Sequence, residues 1–380
     1  MVTYPSDWKE IKIGDTGRVI TGSTPSTSNK HYWGKEYTWI TPTDIDDRVF
    51  MYSSERKLSK QGFEISRQLP PGSVLITCIA SIGKNCILAG VGSCNQQINA
   101  IIPSEKYDSR YIYYLMNFSK DTLENLAGIT ATKILNKKTF EAIKFCVPEL
   151  SEQQAIASVL SNFDEHIDDL SELIEKKKAI RDGALEDLIN GETRLDGFRG
   201  DWNSCKINDV ADFFDNLRIP VTKNQRMPGN TPYYGANGIQ DYVSGYTHDG
   251  EFILIAEDGA NDLLNYPITY ASGKIWVNNH AHVLAGIKSV ADTKFLSYLL
   301  KKVDYTAVLV GGTRAKLNGK TLKNIEITLP ESISEQQAIA QVLSAMDEEI
   351  ESLEVEKEKM LQIKEGAMDD LLTGRVRLKV

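Results

Sequence analysis

Apolar residues in two stretches of the chain recur in alternating steps of four and three. Ile156, Leu160, Phe163, Ile167, Leu170 and Ile174 form one series; Ile339, Leu343, Met346, Ile350 and Leu353 form the other. This alternation puts the side chains on one face of an α-helix and is the a/d seam of a coiled coil. The stretches are copies: one opens SEQQAIASVL at Ser151, the other SEQQAIAQVL at Ser334. Ser-x-x-Gln predicts a capping box, with Ser151 or Ser334 as N-cap and Gln154 or Gln337 reaching back. Gly191 and Gly374 are placed as C′ glycines. The span between cap and glycine, about 40 residues, makes roughly 60 Å of helix. Each copy also holds an interior glycine, Gly183 and Gly366, at one register. Such a glycine costs up to about 1 kcal/mol relative to alanine, so its repetition predicts a close backbone approach or a shared bend. Two helices with the same stripe should pair. Antiparallel pairing about a pseudo-two-fold axis is expected, because each adjoins a bulky domain.

The repeat extends upstream. SRYIYYLMNF from Ser109 and TKFLSYLLKK from Thr293 predict short amphipathic helices, and KILNKKTFEAIKFCVPEL matches AKLNGKTLKNIEITLPES. Each half thus ends in one order: helix, Leu-Asn-x-Lys-Thr turn, strand, proline, long helix. The first parts of the halves share little beyond Asp-Trp at Asp7 and Asp201. SVLITCIA, KNCILAGV and INAIIP predict strands in the first half; EFILIA, KIWVNNHAHVLAG and IEITLP do so in the second. The expected fold is α+β: globular domains at 1–150 and 196–333, a central spacer helix at 151–195 and a C-terminal spacer helix at 334–380.

Charge refines this picture. The net charge of −9 argues at first against a nucleic-acid partner. Its location reverses the argument: each of Ser151–Leu195 and Ser334–Leu378 holds five basic and eleven acidic residues. The globular parts are neutral to slightly basic, so DNA would touch them and avoid the helices. The acidic faces (Asp164, Glu165, Asp168 and Asp169; Asp347, Glu348, Glu349 and Glu351) read as solvated surface, compatible with docking a partner subunit. The five cysteines form no C-x-x-C pair and, with no signal peptide at the N-terminus, read as reduced thiols in the cytoplasm. No apolar run reaches the length of a membrane span.

Catalytic signatures are missing. GGTRAKLNGKT lacks P-loop spacing, and the only Pro-Pro is the turn at Pro70-Pro71. His280 and His282 form a lone H-x-H without a third ligand nearby. Asp44 with Glu55-Arg56-Lys57 resembles a nuclease pattern, but E-x-K recurs at Glu10 and Glu175, so chance accounts for it. What remains is polar turns carrying base-reading residue types. In the first half these are Ser23, Thr24 and Lys30; Lys84; Gln96 and Gln97; and Thr130 with Lys133. In the second they are Tyr234 and Asn237; Asn278, Asn279 and His280; and Thr313, Arg314 and Lys316. Asn and Gln pair with adenine, Arg and Lys with guanine or phosphate. The residues alone take the reading to two binding heads. A DNA-cutting enzyme using Asp44 and Glu55, and a scaffold whose heads bind proteins, stay open as alternatives.

PELSEQQAIASVLSNFDEHID and PESISEQQAIAQVLSAMDEEIE, with EDLINGETRL and DDLLTGRVRL closing the copies, resemble the specificity subunit of type I restriction–modification systems. The likeness covers nearly the whole chain. It implies two target-recognition domains reading a bipartite double-stranded DNA site, and helices that set the gap and dock methylation subunits, two of them. It further implies restriction subunits as partners and no catalytic residue or metal here. S-adenosylmethionine, ATP and Mg would be needed only by the partner subunits.

Overall fold

The computed structural model describes residues 4–127, 134–309 and 316–378. Its contacts divide the chain into two compact units, Met1–Ser171 with Val355–Val380, and Glu172–Glu354. The long helices are Leu150–Ile189 and Ile333–Leu372. Each unit therefore holds a head, the start of the helix that follows it, and the end of the other helix.

The heads share a strand order that their sequences do not advertise. In the first, Val74–Thr77 lies between Ile98–Pro103 and Asn85–Leu88, antiparallel to both. Gly17–Thr21 extends one edge, and Phe50–Met51 joins the other in parallel. In the second, His248–Ala256 lies between Ala281–Gly286 and Ile268–Val277. Ala211–Phe213 extends one edge, and Pro228–Gly235 joins the other in parallel. Val74, Leu75, Ile76 and Thr77 are all buried, as a strand covered on both faces requires. The heads diverge beyond the parallel strand. The second adds Gly238–Val243 to the same sheet, whereas the first builds a separate four-stranded sheet from Trp33–Gly34, Lys57–Leu58, Tyr37–Ile40 and Gly92–Cys94. Each head also has a two-stranded ribbon leading to its long helix, Lys9–Lys12 with Lys144–Val147 and Trp202–Lys206 with Glu326–Pro330.

The short helices Ser109–Phe118 and Thr293–Leu300 are more deeply covered than amphipathic helices. Tyr111 to Met116 and Phe295 to Leu300 are buried without a break. Each is held between its sheet and the opening turns of a long helix: Ile156, Ala157 and Leu160 share a core with Tyr111 and Tyr114, and Ile339, Ala340 and Leu343 share one with Phe295 and Tyr298. The first turns of the apolar stripe thus belong to head cores. Farther along, Ile167, Leu170 and Ile174 stay buried, as does Ile350, while Phe163, Met346 and Leu353 are half-buried.

Within each unit the helices run antiparallel. Asp164 meets Lys364 and His166 meets Glu356 in the first; Arg181 meets Asp347 at 3.0 Å and Lys177 meets Glu349 at 2.7 Å in the second. Asp164 also accepts from the Tyr114 hydroxyl, and Asp347 from the Tyr298 hydroxyl. Burial, then these carboxylates, push both phenols above their ordinary range, so they stay protonated donors.

Two expectations about the helices are corrected. Both start one residue before the predicted Ser, and Gln154 and Gln337 are exposed, so the capping box does not form. The preceding glutamines act instead. The Gln153 side chain bonds the Pro148 carbonyl (2.9 Å) and the Asp108 amide (3.1 Å); Gln336 bonds the Pro330 carbonyl and the Asp292 amide, each at 2.8 Å. Asp108 and Asp292 cap the short helices, so each glutamine ties two helix starts together. Nor do Gly183 and Gly366 mark a close approach. A Cβ built on either meets nothing within 4 Å, and the helices continue through them. Gly191 and Gly374 do adopt the left-handed conformation, with φ of 70° and 72°. A Cβ on Gly191 would press on Trp202 at 3.2 Å; one on Gly374 would clash with Pro5 at 2.5 Å and press on Trp8 at 3.2 Å.

Beyond Gly191 and Gly374 a second device repeats. Arg194 bonds both carboxylate oxygens of Glu335, at 2.6 and 2.7 Å; Arg377 bonds both of Glu152, at 2.6 and 2.8 Å, and also Asp7. Glu335 is 1% exposed and Glu152 5%. A buried carboxylate needs such a partner. This explains why each copy carries a Glu in its Ser-Glu-Gln opening and an arginine three residues beyond its closing glycine.

Candidate nucleic-acid interface

Each head has a three-segment junction at one end of its central strand. In the first, the Cys78 amide donates to the Gln97 carbonyl and the Leu135 amide to the Cys78 carbonyl, each at 2.8 Å. In the second, the Glu257 amide donates to the His280 carbonyl and the Leu317 amide to the Glu257 carbonyl, again at 2.8 Å. Isolated bridges at Ile79–Ile134 and Asp258–Lys316 complete the match. The backbone is the same; the side chains it presents are not.

The first junction is neutral. Cys78 is buried, which pushes its thiol up to about 11, and it accepts from the buried Asn99 amide at 3.2 Å. The Asn95 side chain engages both the amide and the side-chain oxygen of Gln97 at 3.0 Å. The Thr24 hydroxyl donates to Gln96 at 2.5 Å, and both residues are exposed. Ser23 is used internally: its hydroxyl accepts from the Arg67 amide at 3.2 Å and its carbonyl from the Trp39 indole at 3.0 Å. Lys84 is exposed across the adjoining hairpin, its carbonyl accepting from the Thr77 amide at 2.8 Å. Lys30 is exposed at the head of a short turn, with no bond to the others among the described residues. Asp44 is occupied in holding its own loop, since its carboxylate accepts from the Thr41 amide and hydroxyl and from the Glu55 amide.

The second junction is charged. Glu257 accepts from Arg218 at 2.7 Å and pairs with Lys316 at 2.9 Å. Burial opposes its charge, but Lys316 and Arg218 outweigh this and hold the carboxyl below its ordinary range. Asp215 behaves likewise: burial is overcome by hydrogen bonds from His282 and the Val283 amide. His280 bonds Asp258 at 2.6 Å, and the buried His282 bonds Asp215 at 2.6 Å, so the two histidines face separate carboxylates. Asn237 pins the adjacent turn, donating to the Gly259 carbonyl at 2.9 Å and accepting from the Asn261 amide at 3.0 Å. Asn279 is exposed, with no side-chain partner among the described residues.

The structure therefore gathers Thr24, Gln96 and Gln97 in one head, and Asn237, Asn279, His280 and Lys316 in the other. Two expectations are corrected. Tyr234 is buried in an apolar core of the second head, because the strand Pro228–Gly235 turns it inward. Asn278 is 4% exposed, and its side-chain oxygen is taken by the His280 amide at 2.8 Å. Thr130, Lys133, Thr313 and Arg314 lie outside the described residues. Sequence reasoning met Arg56 only inside a chance E-x-K pattern; its exposed guanidinium lies 3.6 Å over the Trp33 ring. Sequence reasoning missed Asp215, Arg218 and Glu257; the one signal was the acidic pair that ends the apolar run of EFILIAED. Among the described residues no group of three His, Cys, Asp or Glu side chains is placed to hold a metal ion, and no helix is long and apolar enough to cross a membrane.

This arrangement, two heads with one backbone plan and two antiparallel helix segments in each unit, defines a duplicated recognition module. The chain belongs to the family of type I restriction modification DNA specificity domains, whose model matches residues 5–180 and again 199–362. A chain of Haemophilus influenzae that bears the provisional name of a type I restriction enzyme specificity subunit is 45% identical over 155 residues, 41% of this chain and 39% of that one. The specificity subunit of the type I restriction enzyme MjaIX of Methanocaldococcus jannaschii is 26% identical over 370 residues, 86% of this chain and 84% of that one. Among solved structures, the S subunit of a type I system from M. genitalium has the same fold, with a TM-score of 0.68 at 16% identity over 96% of both chains.

Proposed function

We propose that this chain reads a split sequence in duplex DNA, one word per head, and directs the subunits that modify or cut it. One observation carries the reading: the two junctions repeat each other bond for bond in the backbone and differ in nearly every side chain. A protein that reads two different words needs that combination of a shared frame and different contacts. The chain supplies recognition and no catalytic group. Methylation subunits, two of them, dock on the helices and use S-adenosylmethionine; restriction subunits bring ATP and Mg. The complex works in the cytoplasm. The helices fix the distance between the words, so removing one matched heptad from both should change the gap and leave the words intact.

The test is a genome-wide map of N6-methyladenine in the source cell with and without the gene. Loss of one motif made of two short words around a fixed gap supports the reading. An unchanged methylome in cells that express the partner subunits sinks it.

A further inference from the structure

The turn Leu-Asn-x-Lys-Thr is written in both heads, Leu135–Thr139 and Leu317–Thr321. It follows directly on the junction, since Leu135 and Leu317 donate its last backbone bonds. The leucines are 2% and 0% exposed and belong to the head cores. Asn136 starts a short helix by accepting from the Thr139 amide at 3.0 Å, and Asn318 stands at the matching helix start. Packing thus accounts for the leucines, and the two asparagines hold the N-cap position, Asn136 with a side-chain bond and Asn318 without one. Neither role accounts for the lysine. Lys138 and Lys320 are exposed, and neither side chain has a hydrogen bond or ion pair among the described residues. Among neighbouring cations, Lys137 pairs with Glu141 at 3.4 Å, Lys206 donates to Asn324 at 3.3 Å, and Lys323 lies 4.6 Å over the Phe213 ring. In the second head Lys320 also lines an open groove of about 960 Å³, with Lys206 and Lys323 as further cations and Asp209 and Asp215 as anions.

Two heads that read different words meet only one feature of DNA in common, the phosphate backbone. Base contacts should differ between heads; backbone contacts can be the same. From this, and resting on the DNA-reading role proposed above, we infer that Lys138 and Lys320 are equivalent phosphate contacts, one per head, that seat each junction on the duplex without reading sequence.

The test uses the full chain assembled with its methylation subunits. Binding to a duplex carrying the mapped motif and to a random duplex is measured from about 0.05 to 0.3 M salt for Lys138→Ala, Lys320→Ala, the double variant and the arginine replacements. Each alanine should lower the slope of log affinity against log salt by about 0.9, weaken both duplexes roughly five- to tenfold at about 0.1 M salt, and leave the methylated motif unchanged. Arginine should restore binding. Unchanged affinity and slope overturn the inference. So does relaxation of one base position in the motif, which would make the lysine a base reader. If the unsubstituted assembly itself fails to bind or to methylate a split motif, the proposed function fails first, and that is read without any variant.

Discussion

The two heads solve one backbone problem with opposite chemistry. The first surrounds its junction with amides, hydroxyls and a buried thiol; the second uses three carboxylates, two cations and two histidines. The order of the five shared strands and the junction bonds are nevertheless the same. The difference shows that the frame is specified by apolar strands and the Leu-Asn turn, and that the side chains on the frame are free to vary. It also separates the constant parts of the molecule, the latches and caps, from the variable ones.

The largest effect should come from breaking a latch in one unit only. Arg194→Ala strands the Glu335 carboxylate, which is 1% exposed, and should cost about 3 kcal/mol. Arg377→Ala should lower stability less, because its pair with Glu152 is more open at the arginine, 40% exposed against 27% for Arg194. Calorimetry of the two variants checks this order. Equal losses would mean that the surrounding contacts, and not the ion pairs, hold the helix ends.

Acid and alkali should then distinguish the heads. Asp215 and Glu257 have depressed carboxyls, so their contribution is present above the unfolded value near about pH 4 and is lost as pH falls through the lower folded values. The first head contains the buried thiols Cys78, held at about 11, and Cys86, at about 12. Raised by burial, they contribute below the unfolded value near about pH 9, and this is lost as pH rises toward about 11. Hydrogen exchange at about pH 3.5 should open the second junction first, and at about pH 10 the first. Asp215→Asn with Glu257→Gln should remove the acid response; if it persists, the network is not its origin.

Much of the frame was legible in the sequence. The helix stripe, the left-handed glycines and the duplicated turn are local patterns, set by periodicity and backbone geometry. The strand order was not, because pairing joins segments such as Gly17–Thr21 and Ile98–Pro103 that no local period links. The latches escaped for the same reason, Arg377 and Glu152 being 225 residues apart. Tyr234 was misplaced because TPYYGANG reads as a turn, while the chain runs as strand through Gly235. The residues expected at the DNA were chosen by type, and the structure shows only that some of them, Gln97, His280 and Lys316, lie at the junctions. The stacking of Arg56 on Trp33 was not legible, because it depends on a small sheet that the pattern does not announce.

A smaller effect would sharpen the division of labour between the heads. Arg56→Ala should relax one position in one word of the motif, and Asn279→Ala one position in the other, each by about 1–3 kcal/mol of discrimination. Methylome sequencing of the two variants reads this directly. If either variant altered both words, the heads would not act separately.

The smallest effect concerns a place where the units agree. Gly183 and Gly366 sit inside long helices with open space where a Cβ would go. Alanine at either should stabilise by about 0.5–1 kcal/mol, through higher helix propensity and a less flexible unfolded chain. Because their surroundings match, the two gains should be equal and should add in the double variant, as thermal melting of the isolated chain can test. A stabilised chain that still assembles with its methylation subunits would make the glycines neutral relics of duplication. A stabilised chain that assembles poorly would locate the missing close approach in the complex, where a partner's surface meets the helix at both glycines.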